Sequence, residues 1–196
     1  MRRKSDLFGG YKTKGITCFS DYIIIKLLFV TMKARQSFPP LVWDDSKILI
    51  LGTIPSSSSI EKGEYYYHYA NYIWDYLAEI FLESRPRTWS EKTDFLKRNH
   101  IALWDVYAFS DVVGSLDKGL REFNDISGFL DEHTTITKIL LNGKKTTQSL
   151  EKYEKKKSKL PKTVRIYALP STSGANTRIP RKMVLSEWEK ALLDTL

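Results

Sequence analysis

At 196 residues, with 42% hydrophobic and 28% charged, the chain has the size and balance of one soluble globular domain. Its single cysteine, Cys18, excludes an internal disulfide and any multi-cysteine zinc site, and His68, His100 and His133 show no metal-ligand spacing. The net charge of +8 hints at an anionic partner such as nucleic acid, but two stretches carry it. Residues 1–31 hold six Lys/Arg against two Asp, and "EKYEKKKSKLPK" (151–162) holds six Lys against two Glu. The lysine run reads more readily as a solvated helix end than as a grip on DNA.

In chain order, "DYIIIKLLFV" (21–30) is apolar but too short to span a bilayer and is interrupted by Lys26. Basic residues precede it, yet no small-residue cleavage site follows. Met32 then opens a sensible domain start. Residues 1–31 are expected to be an extension outside the fold, from an upstream mis-start of translation, with a membrane anchor as the alternative; residues 32–196 are expected to form one domain. "KILILG" (47–52) predicts a buried strand that ends at Gly52. In "GTIPSSSS" (52–59), Pro55 fixes a turn and Ser56 to Ser59 offer hydroxyls, suited to a small polar ligand or simply to a turn. No P-loop is present, because the Gly-Lys-Ser/Thr ending is missing.

"GEYYYHYANYIW" (63–74) crowds aromatic rings ahead of a helix over 72–81, on which Ile73, Trp74, Leu77, Ile80 and Phe81 share one face. Asn71 is either an N-cap there or an amide facing a crevice, and Tyr65, Tyr66 and Tyr67 offer ring faces to a planar base. "WSEKTDFLKRN" (89–99) predicts a helix with Ser90 as N-cap. "IALWDV" (101–106) predicts a second strand whose Asp105 either caps a loop or accepts from a ring N–H. A short helix over 125–133 precedes a third strand, "KILLNG" (138–143), and a polar helix to about residue 155. "TVRIYALP" (163–170) predicts a fourth strand halted by Pro170. In the following "LPSTSGANTR" (169–178), Ser171, Thr172 and Ser173 can bond phosphate oxygens, Gly174 permits close backbone approach, and Arg178 adds charge; an ordinary capped loop is the other reading. The chain closes as a helix with Pro180 suited to its first turn.

This alternation implies an α/β fold, a mostly parallel sheet with helices on both faces, and a crevice at the carboxyl ends of the strands. "ILILGTIPSSSS" (48–59), "YYYHYANYIW" (65–74), "LWDVYAFSDVVGSLD" (103–117) and "LPSTSGANTR", in that order, resemble the motifs of the uracil-DNA glycosylase superfamily, most closely its deoxyinosine (hypoxanthine)-DNA glycosylase branch. The resemblance implies a three-layer α/β/α sandwich around a central, mostly parallel four-stranded sheet. It also implies a monofunctional, cytoplasmic base-excision-repair enzyme without metal or cofactor, a monomer acting on DNA that contains deaminated bases. Such an enzyme would extrude the damaged base and hydrolyse its bond to the sugar, releasing hypoxanthine, with uracil and xanthine as further candidates.

Asn71 falls on the branch's catalytic asparagine. The first-motif turn, Gly52, Thr53 and Ile54, would lie against the base, and Tyr66 aligns with the residue that stacks on it. Asp105 stands where several related families place an asparagine against the base edge, and Asn142 falls on a further branch asparagine. Ser171, Thr172 and Ser173 would grip the flanking phosphates, while residues 175–178, among them Ala175, Asn176 and Arg178, would fill the gap left in the helix. Ile54 is apolar where related families hold a water-positioning polar residue, which makes Asn71 the natural substitute. Leu169 replaces their second-motif histidine. These two losses motivate the alternative, a non-catalytic module that binds nucleic acid or nucleotide in the same crevice.

Overall fold

The computed structural model describes residues 35–111 and 121–194, so the expected extension over residues 1–31 and the Gly-Ser-Leu-Asp stretch at 114–117 lie outside the described residues. In chain order its elements are β1 (Arg35–Gln36), β2 (Ile48–Gly52), α1 (Ser57–Lys62), α2 (Ile73–Ile80), α3 (Trp89–Arg98), β3 (Ile101–Asp105), β4 (Tyr107–Ser110), β5 (Arg121–Phe123), α4 (Ile126–Glu132), β6 (Lys138–Asn142), α5 (Lys144–Lys156), β7 (Arg165–Leu169) and α6 (Arg181–Leu193).

The four apolar runs become one sheet of order β3-β2-β6-β7, parallel at every pairing. Side chains alternate across it, as the two-residue strand period requires. Ile50, Leu103 and Leu140 point to one face and pack with Leu77, Phe95 and Trp188 of α2, α3 and α6. Leu49, Leu51 and Leu141 point to the other and pack with Phe129, Leu150 and Tyr153 of α4 and α5. The result is the expected α/β/α sandwich, and cover on both faces explains why β2, β3 and β6 read as nearly unbroken apolar runs. Register sets Gly52 beside Asp105 and Asn142 beside Leu169, so the strands end level along one edge. From β2 the chain passes to β3 on one side and later to β6 on the other, and the crevice opens at that reversal.

Three local outcomes differ from the sequence expectations. The serines after β2 do not form a loop: Ser56 caps α1, its Oγ accepting from the Ser59 amide at 3.2 Å. Helix α3 is capped by Thr88 rather than Ser90, because Thr88 and Glu91 form a reciprocal capping box, with Glu91 N donating to Thr88 Oγ1 at 3.2 Å and Thr88 N donating to Glu91 Oε2 at 3.0 Å. A second, antiparallel sheet of order β1-β4-β5 grows directly from the end of β3. Its strands are two to four residues long, too short for periodicity to reveal, and it brings Ser37 over Asp105.

Candidate active site

The floor is built at the strand ends. Gly52 must lack a side chain, since a Cβ there would lie 2.5 Å from Asp105 Oδ1. Asp105 is 3% exposed. Burial pushes its carboxyl up to about 7, while hydrogen bonds from Ser37 and Tyr65 pull partly the other way. Ser37 Oγ stands 3.4 Å from Asp105 Oδ2. The Gly52 and Thr53 carbonyls accept from the Val106 and Tyr107 amides at 2.9 and 3.0 Å, which ties the first-motif turn to β3 and β4. Thr53 Oγ1 lies 2.9 Å from Thr146 Oγ1, which itself donates to the Asn142 carbonyl at 2.9 Å. The Ile54 side chain adds an apolar surface to the same cavity.

Tyr66 forms a wall. Its backbone is left-handed (φ 53°), a strained state for a bulky residue, and Trp74 Nε1 donates to its carbonyl at 3.3 Å. Its hydroxyl is buried with no hydrogen-bond partner among the described residues and lies 3.3 Å from where a Cβ on Gly52 would sit. Burial, followed by the nearby Asp105 carboxylate, raises the Tyr66 phenol. The other two tyrosines expected as stacking faces are used differently. Tyr65 is buried edge-on against Phe38, with ring centroids 5.1 Å apart. Tyr67 lies under the ammonium groups of Lys62 and Lys92. His68 Nδ1 accepts from the Ala70 amide at 3.1 Å, so a neutral ring carries its proton on Nε2.

The opposite side is sewn by one buried hydroxyl. Asn71 and Ser173 form an antiparallel bridge, and the Tyr72 amide donates to the Thr172 carbonyl at 2.9 Å. Thr172 Oγ1 donates to Asn71 Oδ1 at 2.8 Å and accepts from Asn142 Nδ2 at 2.9 Å. The Thr172 amide donates to Asn142 Oδ1 at 2.9 Å. Thr172 is therefore not a phosphate contact: it is fully buried, and it joins the two asparagines. Asn71 Oδ1 also accepts from the Ile73 amide at 3.1 Å. Tyr72, not Asn71, is the N-cap of α2, and Asn71 holds the Ile73 amide from one residue before it. Both lone pairs of its carbonyl oxygen are engaged, and the Nδ2 end is left for a ligand.

Gly52, Thr53, Ile54, Tyr66, Asn71, Asp105, Asn142, Ser171, Ser173 and Ala175 all line one cavity of about 430 Å³. Asn176 holds the Ser171 carbonyl at 3.0 Å and lines an adjoining hollow beside Tyr72, whereas Arg178 is exposed and lines neither. Ser171 Oγ accepts from Ser173 N and Ser173 Oγ from Ala175 N, each at 3.3 Å. Leu169 is packed in the core, away from the cavity. Ser37 was missed from sequence, where "SFPP" carries no chemical signal. Among the described residues no helix is long and apolar enough to cross a membrane, and no cluster of three or more His, Cys, Asp or Glu could hold a metal.

The chain is 34% identical over 158 residues to the hypoxanthine DNA glycosylase of Methanosarcina acetivorans, an alignment covering 79% of this chain and 96% of the relative. The Methanosarcina barkeri hypoxanthine DNA glycosylase is 34% identical over 160 residues, covering 80% and 97%. The chain belongs to the hypoxanthine DNA glycosylase family. The solution NMR structure of a candidate uracil DNA glycosylase from M. acetivorans superposes with a TM-score of 0.70 at 31% identity, covering 81% of this chain and 96% of that one. The glycosylase family and the uracil-DNA glycosylase-like fold therefore agree. No model of a known protein family matches the chain.

Proposed function

We propose that this DNA glycosylase hydrolyses the N-glycosidic bond of deoxyinosine in DNA, releasing hypoxanthine and leaving an abasic site. The supporting observation is the tie of Asn71 to Asn142 through Thr172, facing the Gly52–Asp105 floor across one cavity. Cleavage develops positive charge on the sugar and negative charge on the departing base, and fixed dipoles aimed at those charges supply the acceleration. No metal, cofactor or strong general base is needed when water attacks an already cationic sugar. The Asn71 amide donates to one lone pair of that water and leaves the other directed at C1′, a positioning role. The departing base takes the bonding electron pair, and the water's surplus proton passes to solvent.

The extruded base stacks on Tyr66, worth roughly 1–3 kcal/mol. Its N1–H/C6=O edge is complementary to a neutral carboxyl, so Asp105 accepts from N1–H and donates to O6. The amides of Thr53 and Ile54 are further donors, and Asn142 anchors the floor. Because burial holds Asp105 neutral below about pH 7, base release should weaken as pH rises through that value. Ser171 and Ser173 meet flanking phosphates, with Ala175, Asn176 and Arg178 filling the vacated helix position. Uracil and xanthine present similar edges; kinship with the Methanosarcina enzymes favours hypoxanthine. In this reading the protein acts as a monomer in the cytoplasm.

The test is incubation of the purified protein with inosine, uracil or xanthine in single- and double-stranded DNA. Abasic sites should form fastest at inosine, and Asn71→Ala should abolish most of the reaction while staying folded. DNA binding with no abasic product on any lesion would select the non-catalytic module instead.

A further inference from the structure

Across the wall formed by Tyr66, His68 and Asn71 lies a second hollow of about 390 Å³. Arg85, Arg87 and Lys92 line it, and no Asp or Glu does. The three cations are held differently. Lys92 is buried, paired with Glu64 at 2.9 Å, and set over the Trp74 ring at 5.4 Å, so it belongs to the wall. Arg85 pairs with Asp75 at 2.9 Å. Arg87 is exposed and makes no ion pair among the described residues. The nearby carboxylate, Glu91, is engaged by the Arg87 and Thr88 backbone amides at 2.7 and 3.0 Å.

Tyr69, on the same rim, is 88% exposed. Its ring is propped by the His68 ring, centroids 4.6 Å apart and planes 26° apart. An open aromatic face fixed in place suits a planar ring, and a guanidinium beside it suits a phosphate; a nucleotide combines the two. Because the hollow shares its wall with the base cavity, the nucleotide it can receive is a strand neighbour of the extruded one. Ser171 and Ser173 line the base cavity but not this hollow.

We infer that this hollow holds the nucleotide adjoining the extruded one in the same DNA strand, its base on Tyr69 and its phosphate on Arg87. The inference rests on the proposed extrusion of a base into the first cavity. Its test is fluorescence-anisotropy titration with short single strands carrying a hydrolysis-resistant 2′-fluoro deoxyinosine inside the strand, at its 5′ end or at its 3′ end. On the internal lesion, Tyr69→Ala should weaken binding about 10-fold. Arg87→Ala should weaken it similarly and lower the salt slope by about one. Tyr69→Phe, which keeps the ring, should bind like the parent protein. On one of the two end-placed lesions the neighbour is missing, and there both alanine variants should bind like the parent.

Equal losses on all three strands, or no loss on any, would overturn the inference. So would a free nucleoside monophosphate that displaces the strand in the parent but not in Tyr69→Ala, since that marks an independent nucleotide site. Melting temperatures, with Arg87→Gln as a second variant, separate binding loss from misfolding. The readout is binding, so a neighbour effect without abasic product would sink the glycosylase reading alone. Base release without a neighbour effect would sink this inference alone.

Discussion

Two hydroxyl-rich stretches leave the same edge of the sheet and use their side chains in opposite ways. After β2, Ser56 Oγ accepts from the Ser59 amide and contacts the Ser58 and Ser59 hydroxyls at 3.0 Å, all within one helical turn. After β7, Thr172 joins side chains 30 and 101 residues away in sequence. The first set stabilises a helix start. The second fixes the orientation of the Asn71 and Asn142 amides, because a buried hydroxyl cannot turn to water for partners. Similar composition thus serves a helix start in one stretch and site geometry in the other, and the partners each hydroxyl reaches decide which.

That contrast orders the expected effects of substitution. Asn71→Ala should be the most damaging, lowering the single-turnover rate on deoxyinosine DNA on the order of 10²–10³-fold, as removal of a positioned donor does elsewhere. The lost hydrogen bond to the Ile73 amide should cost about 1 kcal/mol, read as a shift in denaturation midpoint. Thr172→Val comes next. It leaves both asparagines short of a partner, destabilises by about 1–3 kcal/mol, and slows turnover roughly 10-fold or more through misorientation of Asn71. Thr172→Ser should restore both. If Thr172→Val proved no more harmful to turnover than Ser56→Ala, the two stretches would not differ as described.

Asp105→Asn probes the floor. Its folded-state carboxyl titrates at about 7 against an ordinary value of 3.8, so the unfolded chain loses its proton first. Stability should therefore fall as pH rises from about 4 to about 7, then level off. Asp105→Asn should remove that fall, leaving the variant more stable than the parent at pH 8, and should flatten the alkaline loss of base release. Urea denaturation and single-turnover rates across pH 5–9 check both. Ser56→Ala should show the smallest effect, about 1 kcal/mol of stability, with turnover moved far less than by Thr172→Val.

Much of this was legible before any coordinates. Strands β2, β3 and β6 are apolar runs closed by Gly52, Asp105 and Asn142, and burial on both faces writes that pattern, whereas the edge strand β7 is half-exposed. Gathering Gly52, Asp105 and Asn142 at one edge then follows from topology alone, and the Asn71–Ser173 bridge adds Asn71. What was not legible depends on partners distant in sequence. Nothing in "PSTSG" says that Thr172 turns inward while Ser171 and Ser173 line the cavity. The antiparallel strands β1, β4 and β5 are too short to carry a period, so the arrival of Ser37 at Asp105 could not be seen. Ser90 looked like a cap because Ser is a good one, but the Thr88–Glu91 pair captures two amides at once.

In the proposed mechanism Asn71 works through its amide N–H₂, its carbonyl oxygen being held by Thr172 and Ile73. Asn71→Asp tests this directly, since it keeps an oxygen for both donors and replaces the N–H₂ with an acceptor. Single-turnover hydrolysis of deoxyinosine DNA by this variant at pH 7.5 should be depressed about as far as in Asn71→Ala. A rate equal to or above that of the parent protein would contradict the claim and make the acceptor end of residue 71 the working group.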